Sequence, residues 1–186
     1  MVGVFDLWLP ILLSAVFVFI ASTVIHMVLR YHKGDYKKLS GEDAVLEAMR
    51  SQKLEPGTYS FPHAASMKDM GSPEMLEKYK QGPVGYMTIG PNGPPAMGKG
   101  LALWFLFSVL MGVFAGYLAG MFLGPGADYH TVFRATGTVA ILGYGASSLI
   151  DSVWKGQAWS VTLKHVFDGI VYALLTAGTF GWLWPA

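Results

Sequence analysis

The chain has 186 residues, of which 53% are hydrophobic and only 13% are charged. Soluble domains carry roughly a quarter charged residues, so this balance predicts a membrane protein. The formal net charge of +1 gives no basis for binding nucleic acid, and the lack of cysteine excludes disulfides and thiolate metal sites.

Four apolar stretches follow one another along the chain. A helix needs about 20 apolar residues to cross a bilayer. The third stretch is the least apolar, because it holds Arg134 and several small residues. We therefore predict an all-α membrane protein, a four-transmembrane-helix bundle with a partly helical cytoplasmic loop between helices 1 and 2. The stretches are Leu7 to Leu29, Leu101 to Leu123, Thr131 to Ile150 and Val161 to Trp184.

The placement of charge predicts how the chain crosses the membrane. Ten of the 13 Lys and Arg residues lie between Arg30 and Lys99. Since basic loops stay on the cytoplasmic side, residues 31–99 are expected inside and both termini outside. Residues 1–30 then form transmembrane helix 1 and residues 100–186 hold helices 2–4. Helix 1 is expected to remain as an anchor, because its acidic front flank and basic rear flank are the reverse of a cleaved signal peptide.

Two short helices are predicted in the cytoplasmic loop. In "SGEDAVLEAMR" we expect Ser40 to cap the first helix, and in "SPEMLEKYKQG" we expect Ser72 to cap the second. Isolated helices of two or three turns do not persist in water. These helices are therefore expected to pack on each other, on the membrane surface or on a partner.

The loop ends in "GPNGPPAMGKG", where Gly93 to Lys99 match the spacing of a phosphate-binding loop. Pro94 and Pro95 lack amide protons that would bind phosphate, and Gly100 stands where a Ser or Thr would bind magnesium. A membrane span follows directly. We interpret the match as chance and predict no nucleotide binding.

The second span carries small residues at four-residue spacing, and the third span has a further set. Such spacing lets helix backbones approach closely. The stripe serves either packing within this chain's own bundle or association with a partner helix, and the sequence favours neither. The predicted helix-packing interface consists of Ser108, Gly112, Gly116, Gly120, Gly124, Gly137 and Gly143.

Ionisable residues occur near the inner ends of the first and last spans. His26 lies near the end of the first, and Lys164, His165 and Asp168 share one face of the last. His26, His165 and Asp168 are candidates for binding a metal ion, and the two histidines for binding a haem. The alternative is that Lys164 extends to the interface and pairs with Asp168. No cofactor is required by the sequence.

Three segments of the chain carry a resemblance: "IHMVLRYHKGDYKKL", "PGTYSFP", and the stretch from "GPVGYMTIGP" through "PPAMGKGLALWF". They resemble uncharacterised inner-membrane proteins of bacteria. The resemblance implies the bacterial cytoplasmic membrane and four spans, and carries no activity, substrate or cofactor.

The features that stand out serve association, so we expect a non-catalytic accessory or scaffold subunit of a larger membrane complex, for which an energy-converting complex is one candidate. Its partners would be the lipid bilayer and either other membrane subunits or further copies of itself. Two alternatives are a small haem- or metal-binding redox protein and a small transporter or channel.

Overall fold

The computed structural model describes residues 1–186 and is mostly helical, with 69% of the residues in helices. The prediction of a mostly helical chain is confirmed. The chain forms two units, a bundle unit (Met1–Asp35 and Ala96–Ala186) and a loop unit (Tyr36–Pro95). In chain order the elements are α1 (Trp8–Thr23), α2 (Glu42–Ser51), β1 (Gly57–Phe61), α3 (Met67–Met70), α4 (Pro73–Gln81), β2 (Gly85–Ile89), α5 (Met97–Phe122), α6 (Tyr129–Tyr144), α7 (Leu149–Lys155) and α8 (Trp159–Trp182).

Two helical stretches of the bundle unit are long and apolar enough to cross a membrane. One is Val4–Leu29, which is α1 with a turn on either side, and the other is Met97–Phe122, which is α5; each has 26 residues. At about 1.5 Å per residue, such a helix exceeds the roughly 30 Å thickness of the hydrocarbon core. These two stretches correspond to the first and second predicted spans.

The third predicted span, residues 131–150, is a broken helix. The 16 residues of α6 end at Tyr144, and a 3-10 turn then leads into α7. Gly145 follows α6 and lies against Gly169 of α8. A Cβ added to Gly169 would lie only 2.5 Å from the Gly145 Cα. Because glycine disfavours helix continuation, the "GYG" sequence weakens the helix where the two backbones meet. The fourth predicted span is continuous, as α8.

Small and hydroxyl-bearing residues make up much of the interior of the bundle unit, beside larger apolar residues such as Leu7 and Phe180. α8 packs along α6 and α1, and α5 packs on α1 and α6. Buried hydroxyls donate to their own helix backbone, with Thr136 reaching the Val132 carbonyl at 2.8 Å and Thr176 reaching that of Tyr172 at 2.9 Å. Polar groups are thereby satisfied inside, and small side chains allow the helices to approach closely. The other small residues of this interior are Ser14, Ala15, Ser22, Ser108, Ala115, Ala119, Ala140, Thr162, Ala173, Ala177 and Thr179, with several glycines.

The outer surface of the bundle unit is strongly apolar. Leu12 and Ile20 on α1, Leu106 and Phe114 on α5, and Phe167 on α8 are between 44% and 60% exposed. Single exposed apolar residues are common, but large side chains exposed on several helices form a patch that requires a covering surface. The bundle therefore exposes large apolar side chains on several helices, while its interior combines small and hydroxyl-bearing residues with large ones such as Phe180 and Leu7.

The loop unit combines short helices with a two-stranded antiparallel sheet, in which Tyr59 of β1 pairs with Met87 of β2. The Ser72 side chain accepts the amide hydrogen bond of Met75 at 3.2 Å at the start of α4, the cap expected from the sequence. The expected Ser40 cap of α2 does not form, because Gly41 precedes that helix in a left-handed conformation with φ 72°. No residue between 36 and 95 is buried.

Candidate metal centre

Three segments of the bundle unit bring histidine, aspartate, tyrosine and lysine side chains together at one end. His26 lies in a π-helical turn, Val24–Leu29, that continues α1. The 3-10 turn Tyr31–Gly34 follows, and between the two turns Arg30 adopts a left-handed conformation with φ 53°. That reversal is uncommon for a residue other than glycine. It places His32 beside α8, which supplies Lys164, His165 and Asp168. These three residues, together with His26, Tyr31, His32 and Asp35, are called the His/Asp cluster.

His32 lies at the centre of the His/Asp cluster. Its Nδ1 is 2.6 Å from the Asp35 Oδ2, and its Nε2 is 2.8 Å from the Asp168 Oδ2. A protonated imidazole donates from both nitrogens, so His32 can bond both carboxylates at once. The rings of His26 and His165 lie with their centroids 4.6 Å and 5.1 Å from that of His32. One imidazole therefore contacts every other histidine and aspartate of the cluster.

Two further donors complete the hydrogen bonding of the aspartates. The Tyr31 hydroxyl donates to the Asp168 Oδ1, and Lys164 Nζ donates to the Asp35 Oδ1 and to the Tyr31 carbonyl oxygen. The side chains of both aspartates are only 4% exposed. Buried carboxylates require such partners, because burial without hydrogen bonds is costly for a charged group. Lys164 thus pairs with Asp35, and the expected pair between Lys164 and Asp168 does not form.

The pKa shifts of two cluster residues follow from these contacts. Burial pushes the pKa of the Asp35 carboxyl upward, but the hydrogen bonds from Lys164 and His32 outweigh it and lower that pKa below its usual value. Burial, followed by the hydrogen bond to Asp168, raises the pKa of Tyr31 above its usual value. At neutral pH the cluster therefore holds an ionised Asp35 and a protonated Tyr31.

Two sets of side chains in the His/Asp cluster have the composition of a metal site. One set is His26, His32 and Asp168, the other is His32, Asp35 and His165, and within each set the candidate ligand atoms lie within 4.8 Å of one another. Two imidazoles and a carboxylate form the ligand set of many zinc sites and of non-haem iron sites. His32 belongs to both sets, so the two describe alternative positions for one ion.

A haem between His26 and His165 stays a prediction of the sequence. Axial histidines bind iron from the two faces of the macrocycle, which needs open space beside each ring. Here the His32 ring is in contact with both. A haem bound by these two histidines would therefore have to accommodate the His32 ring, whereas a single ion could take His32 as a ligand.

The predicted small-residue stripe lies mostly against this chain's own elements. A Cβ added at Gly112 would lie 3.3 Å from the Ile11 Cα, and one at Gly116 would lie 3.1 Å from the Leu7 side chain. Gly120 meets the backbone of Val2, whose amide donates to the Gly120 carbonyl oxygen. These three glycines are therefore covered from within the chain.

Three of the remaining stripe residues are also covered from within the chain. Ser108 is buried and donates to the Trp104 carbonyl at 3.0 Å, Gly137 lies against Ala177, and Gly143 lies against Met111. Gly124 differs from these, because a Cβ added to it would have open space on every side. In the near match to a phosphate loop, Lys99 lies exposed in the first turn of α5.

Sequence reasoning named His26, His165 and Asp168 but missed Tyr31, His32 and Asp35. All three missed residues lie in "RYHKGDYKK", a segment whose pattern indicates only the basic flank of the first span. The available signal was the spacing of His32 and Asp35, three residues apart directly after an apolar helix. The reversal at Arg30, which turns them toward α8, has no sequence signature.

The chain matches no protein-family model, no curated protein and no solved structure. The function therefore has to be inferred from the geometry of the molecule itself.

Proposed function

We propose that the chain is a four-span protein of the bacterial inner membrane that binds one divalent transition-metal ion at its His/Asp cluster. The observation that carries the proposal is the convergence of three imidazoles and two carboxylates, with ligand atoms of each candidate set within 4.8 Å. The hydrogen bonds around these ligands favour the same role, because Lys164 and Tyr31 orient the two carboxylates.

The membrane part of the proposal rests on how apolar groups are distributed. Residues such as Ile20, Leu106 and Phe167 are more than half exposed on three different helices, while many of the buried residues are Ala, Ser, Thr or Gly. Lipid is the solvent that favours this arrangement, since small residues pack helices together where no hydrophobic driving force acts between them. The basic residues 31–99 lie inside by the positive-inside rule, and both termini lie outside.

The packing of the bundle unit supports four spans rather than two. α6 and α8 pack on each other and on the two long apolar helices. The Lys, His and Asp residues of α8 lie in its first three turns, where Lys164 pairs with Asp35 and Asp168 pairs with His32. The rest of that helix carries no charged residue. In this arrangement the His/Asp cluster lies at the cytoplasmic end of the bundle, where an ion can enter from water.

The metal proposal is tested by measuring metal in the full chain, purified in mild detergent. After removal of metal and reloading with Zn²⁺ or Co²⁺, we expect one ion per chain, and for Co²⁺ the visible absorption of a site with nitrogen and oxygen ligands. His32→Gln should weaken binding about 100-fold or more, because His32 belongs to both candidate sets. Loss with His26→Gln alone, or with His165→Gln alone, identifies which set holds the ion.

Two histidines outside the cluster provide matched controls. His63→Gln, in the loop unit, and His130→Gln, in the first turn of α6, should retain full binding. His26 makes no hydrogen bond in the cluster, so His26→Gln is not expected to disturb the fold. A wild-type chain that takes up no ion, or equal losses in all five variants, contradicts the metal proposal.

A second candidate function is favoured by the loop unit: an accessory or scaffold subunit of a larger membrane assembly. No residue between 36 and 95 is buried, and Val45, Leu46 and Leu76 on its helices remain 37% to 47% exposed. A unit of this size without a buried core gains little stability from its own packing. A partner protein that covers these side chains would supply the missing burial, and labelling of a cysteine introduced at Leu46 tests for it.

A further inference from the structure

A large cavity opens beside the His/Asp cluster, within the bundle unit. It has a volume of about 710 Å³ and is lined by residues of α1, α5, α6 and α8. Its inner wall consists of the rings of Trp104, Tyr144 and Tyr172, whose centroids lie 5.6 to 6.0 Å apart. Its mouth is formed by Met27, Met97 and Leu101, which are exposed. Volumes of this order are typical of sites for small organic ligands.

One polar atom in this wall has no partner. Tyr172 is only 4% exposed, and its hydroxyl makes no hydrogen bond. The neighbouring polar groups are satisfied: the Trp104 indole donates to the Ser22 hydroxyl at 2.9 Å, and the Tyr144 hydroxyl donates to the Ser108 carbonyl. A buried hydroxyl without a partner costs about 1–3 kcal/mol, so a group that accepts its hydrogen bond has a reason to bind here.

The cavity has a second polar region, supplied by the His/Asp cluster. His26, His165 and Asp168 all line it. A ligand in this cavity therefore meets aromatic rings along its body, a hydroxyl donor at Tyr172, and imidazoles at the cluster. An acyl chain would leave both polar regions unsatisfied, and a strongly charged molecule would lie against the aromatic wall.

We infer that this cavity binds the ring of a lipid-soluble quinone, with one carbonyl oxygen accepting from Tyr172 and the ring packed against Trp104 and Tyr144. A quinone has a flat apolar ring with hydrogen-bond acceptors on opposite edges, which matches the two polar regions. Its apolar tail leaves through the mouth between Met27 and Met97 into lipid. The inference rests on the proposed function, in that the bundle must lie in a membrane for such a ligand to reach it.

The test uses the full chain in detergent, with decylubiquinone as the probe. Binding is measured by equilibrium dialysis and by quenching of tryptophan fluorescence, and decylbenzene, which has the tail and a ring but no oxygen, is the comparison ligand. We expect decylubiquinone to bind at least tenfold more tightly than decylbenzene. Trp104→Phe should reduce the quenching.

The decisive variant is Tyr172→Phe, which removes only the unpartnered hydroxyl. We expect it to weaken decylubiquinone binding about tenfold while leaving decylbenzene binding unchanged. In the ligand-free protein it should leave the thermal midpoint unchanged or raise it, since no hydrogen bond is lost. Tyr117→Phe, on an exposed residue of α5 that does not line the cavity, is the matched control and should change neither quantity.

The outcomes separate this inference from the proposed metal site. Metal uptake without any preference for decylubiquinone over decylbenzene overturns the quinone site alone. Decylubiquinone binding that depends on Tyr172 in a chain that takes up no metal supports the quinone site and contradicts the metal proposal. Equal decylubiquinone binding by wild type and Tyr172→Phe also overturns the assignment, because it would show that the Tyr172 hydroxyl does not contact the ligand.

Discussion

His32 is the residue on which the His/Asp cluster depends most. It contacts Asp35 through one ring nitrogen and Asp168 through the other, and these two aspartates are separated by more than a hundred positions in the chain. Hydrogen bonds to charged groups contribute about 1.5–3 kcal/mol each. The same imidazole therefore holds the turn after α1 against α8, and it would bind an ion only by releasing a ring proton and giving up one of these two hydrogen bonds.

At the residue scale we predict a pH-dependent role for Asp35 in stability. Because the pKa of this carboxyl is lowered in the folded chain, its contribution is complete above the unfolded value of about 3.9 and is lost as pH falls through the folded pKa. Asp35→Asn should cost about 1.5–3 kcal/mol at pH 7. The difference from wild type should shrink below about pH 4. Thermal unfolding in detergent across this pH range measures both effects.

The control for this prediction is Asp43→Asn on α2, where the carboxylate is exposed and makes no ion pair. It should change the unfolding midpoint little at any pH. An Asp35→Asn variant that matches Asp43→Asn, or whose deficit is the same at pH 3 and pH 7, would contradict the assigned role.

Among the elements, α5 is the one whose small residues have the most direct consequence for packing. Gly116 lies where Leu7 and Phe180 meet, with each side chain 3.1 Å from a Cβ that would be added there. The turn that ends at Leu7 and the helix α8 thus occupy this face of α5. The sequence had left open whether the face packs within the chain or against a partner helix. Close packing at this point depends on Gly116 having no side chain.

At the element scale we predict that Gly116→Leu destabilises the bundle itself. Insertion of side-chain volume into a packed interior costs about 1–3 kcal/mol or more, so the thermal midpoint should fall. Gly124→Leu, at the last position of the same stripe but with open space around it, should be nearly neutral. The measurements are thermal unfolding and size-exclusion chromatography in the same detergent.

The two measurements assign the stripe to one of its roles. A lower midpoint with unchanged association is the result expected from internal packing. A normal midpoint with a changed oligomeric state for Gly116→Leu would show that the stripe serves a partner instead.

For the whole molecule, the absence of cysteine makes the topology and the loop unit directly testable. Single cysteines introduced into this chain can be labelled with a maleimide that does not cross membranes. We expect Ala186→Cys to react from the periplasmic side of intact spheroplasts. Ser51→Cys, on exposed α2, should react only in inverted vesicles.

A third variant, Leu46→Cys, examines the partner of the loop unit. If another subunit covers the apolar face of α2, Leu46→Cys should be protected in native membranes and become reactive after purification, whereas Ser51→Cys reacts in both. Equal reactivity of the two before and after purification contradicts the accessory-subunit proposal. Reaction of Ser51→Cys from outside would contradict the topology.

Sequence patterns predicted the long helices well, because hydropathy over some 20 residues is a strong local signal. α5 and α8 begin within a few residues of the predicted spans. α6 is shorter than predicted, because its end depends on the contact between Gly145 and Gly169, which is not local. The pairing of β1 with β2 likewise joins segments that are distant in the chain, such as Tyr59 and Met87.

Only part of the candidate site was predictable, for the same physical reason. His26, His165 and Asp168 were found because helical spacing places them near the ends of apolar stretches. His32 and Asp35 depend on the left-handed conformation of Arg30, which tertiary contacts stabilise and local propensity disfavours. The unpartnered Tyr172 hydroxyl can be recognised only once its surroundings are known.

The separation of the His/Asp cluster residues by more than a hundred positions has a consequence for biosynthesis. His32 and Asp35 leave the ribosome well before Lys164 and Asp168, which belong to α8. Until α8 is made, His32 and Asp35 can bond only to each other, and each lacks its partner from α8. The cluster is therefore complete only when α8 has packed against the turn after α1, so its hydrogen bonds form only in chains in which these two parts of the bundle have come together.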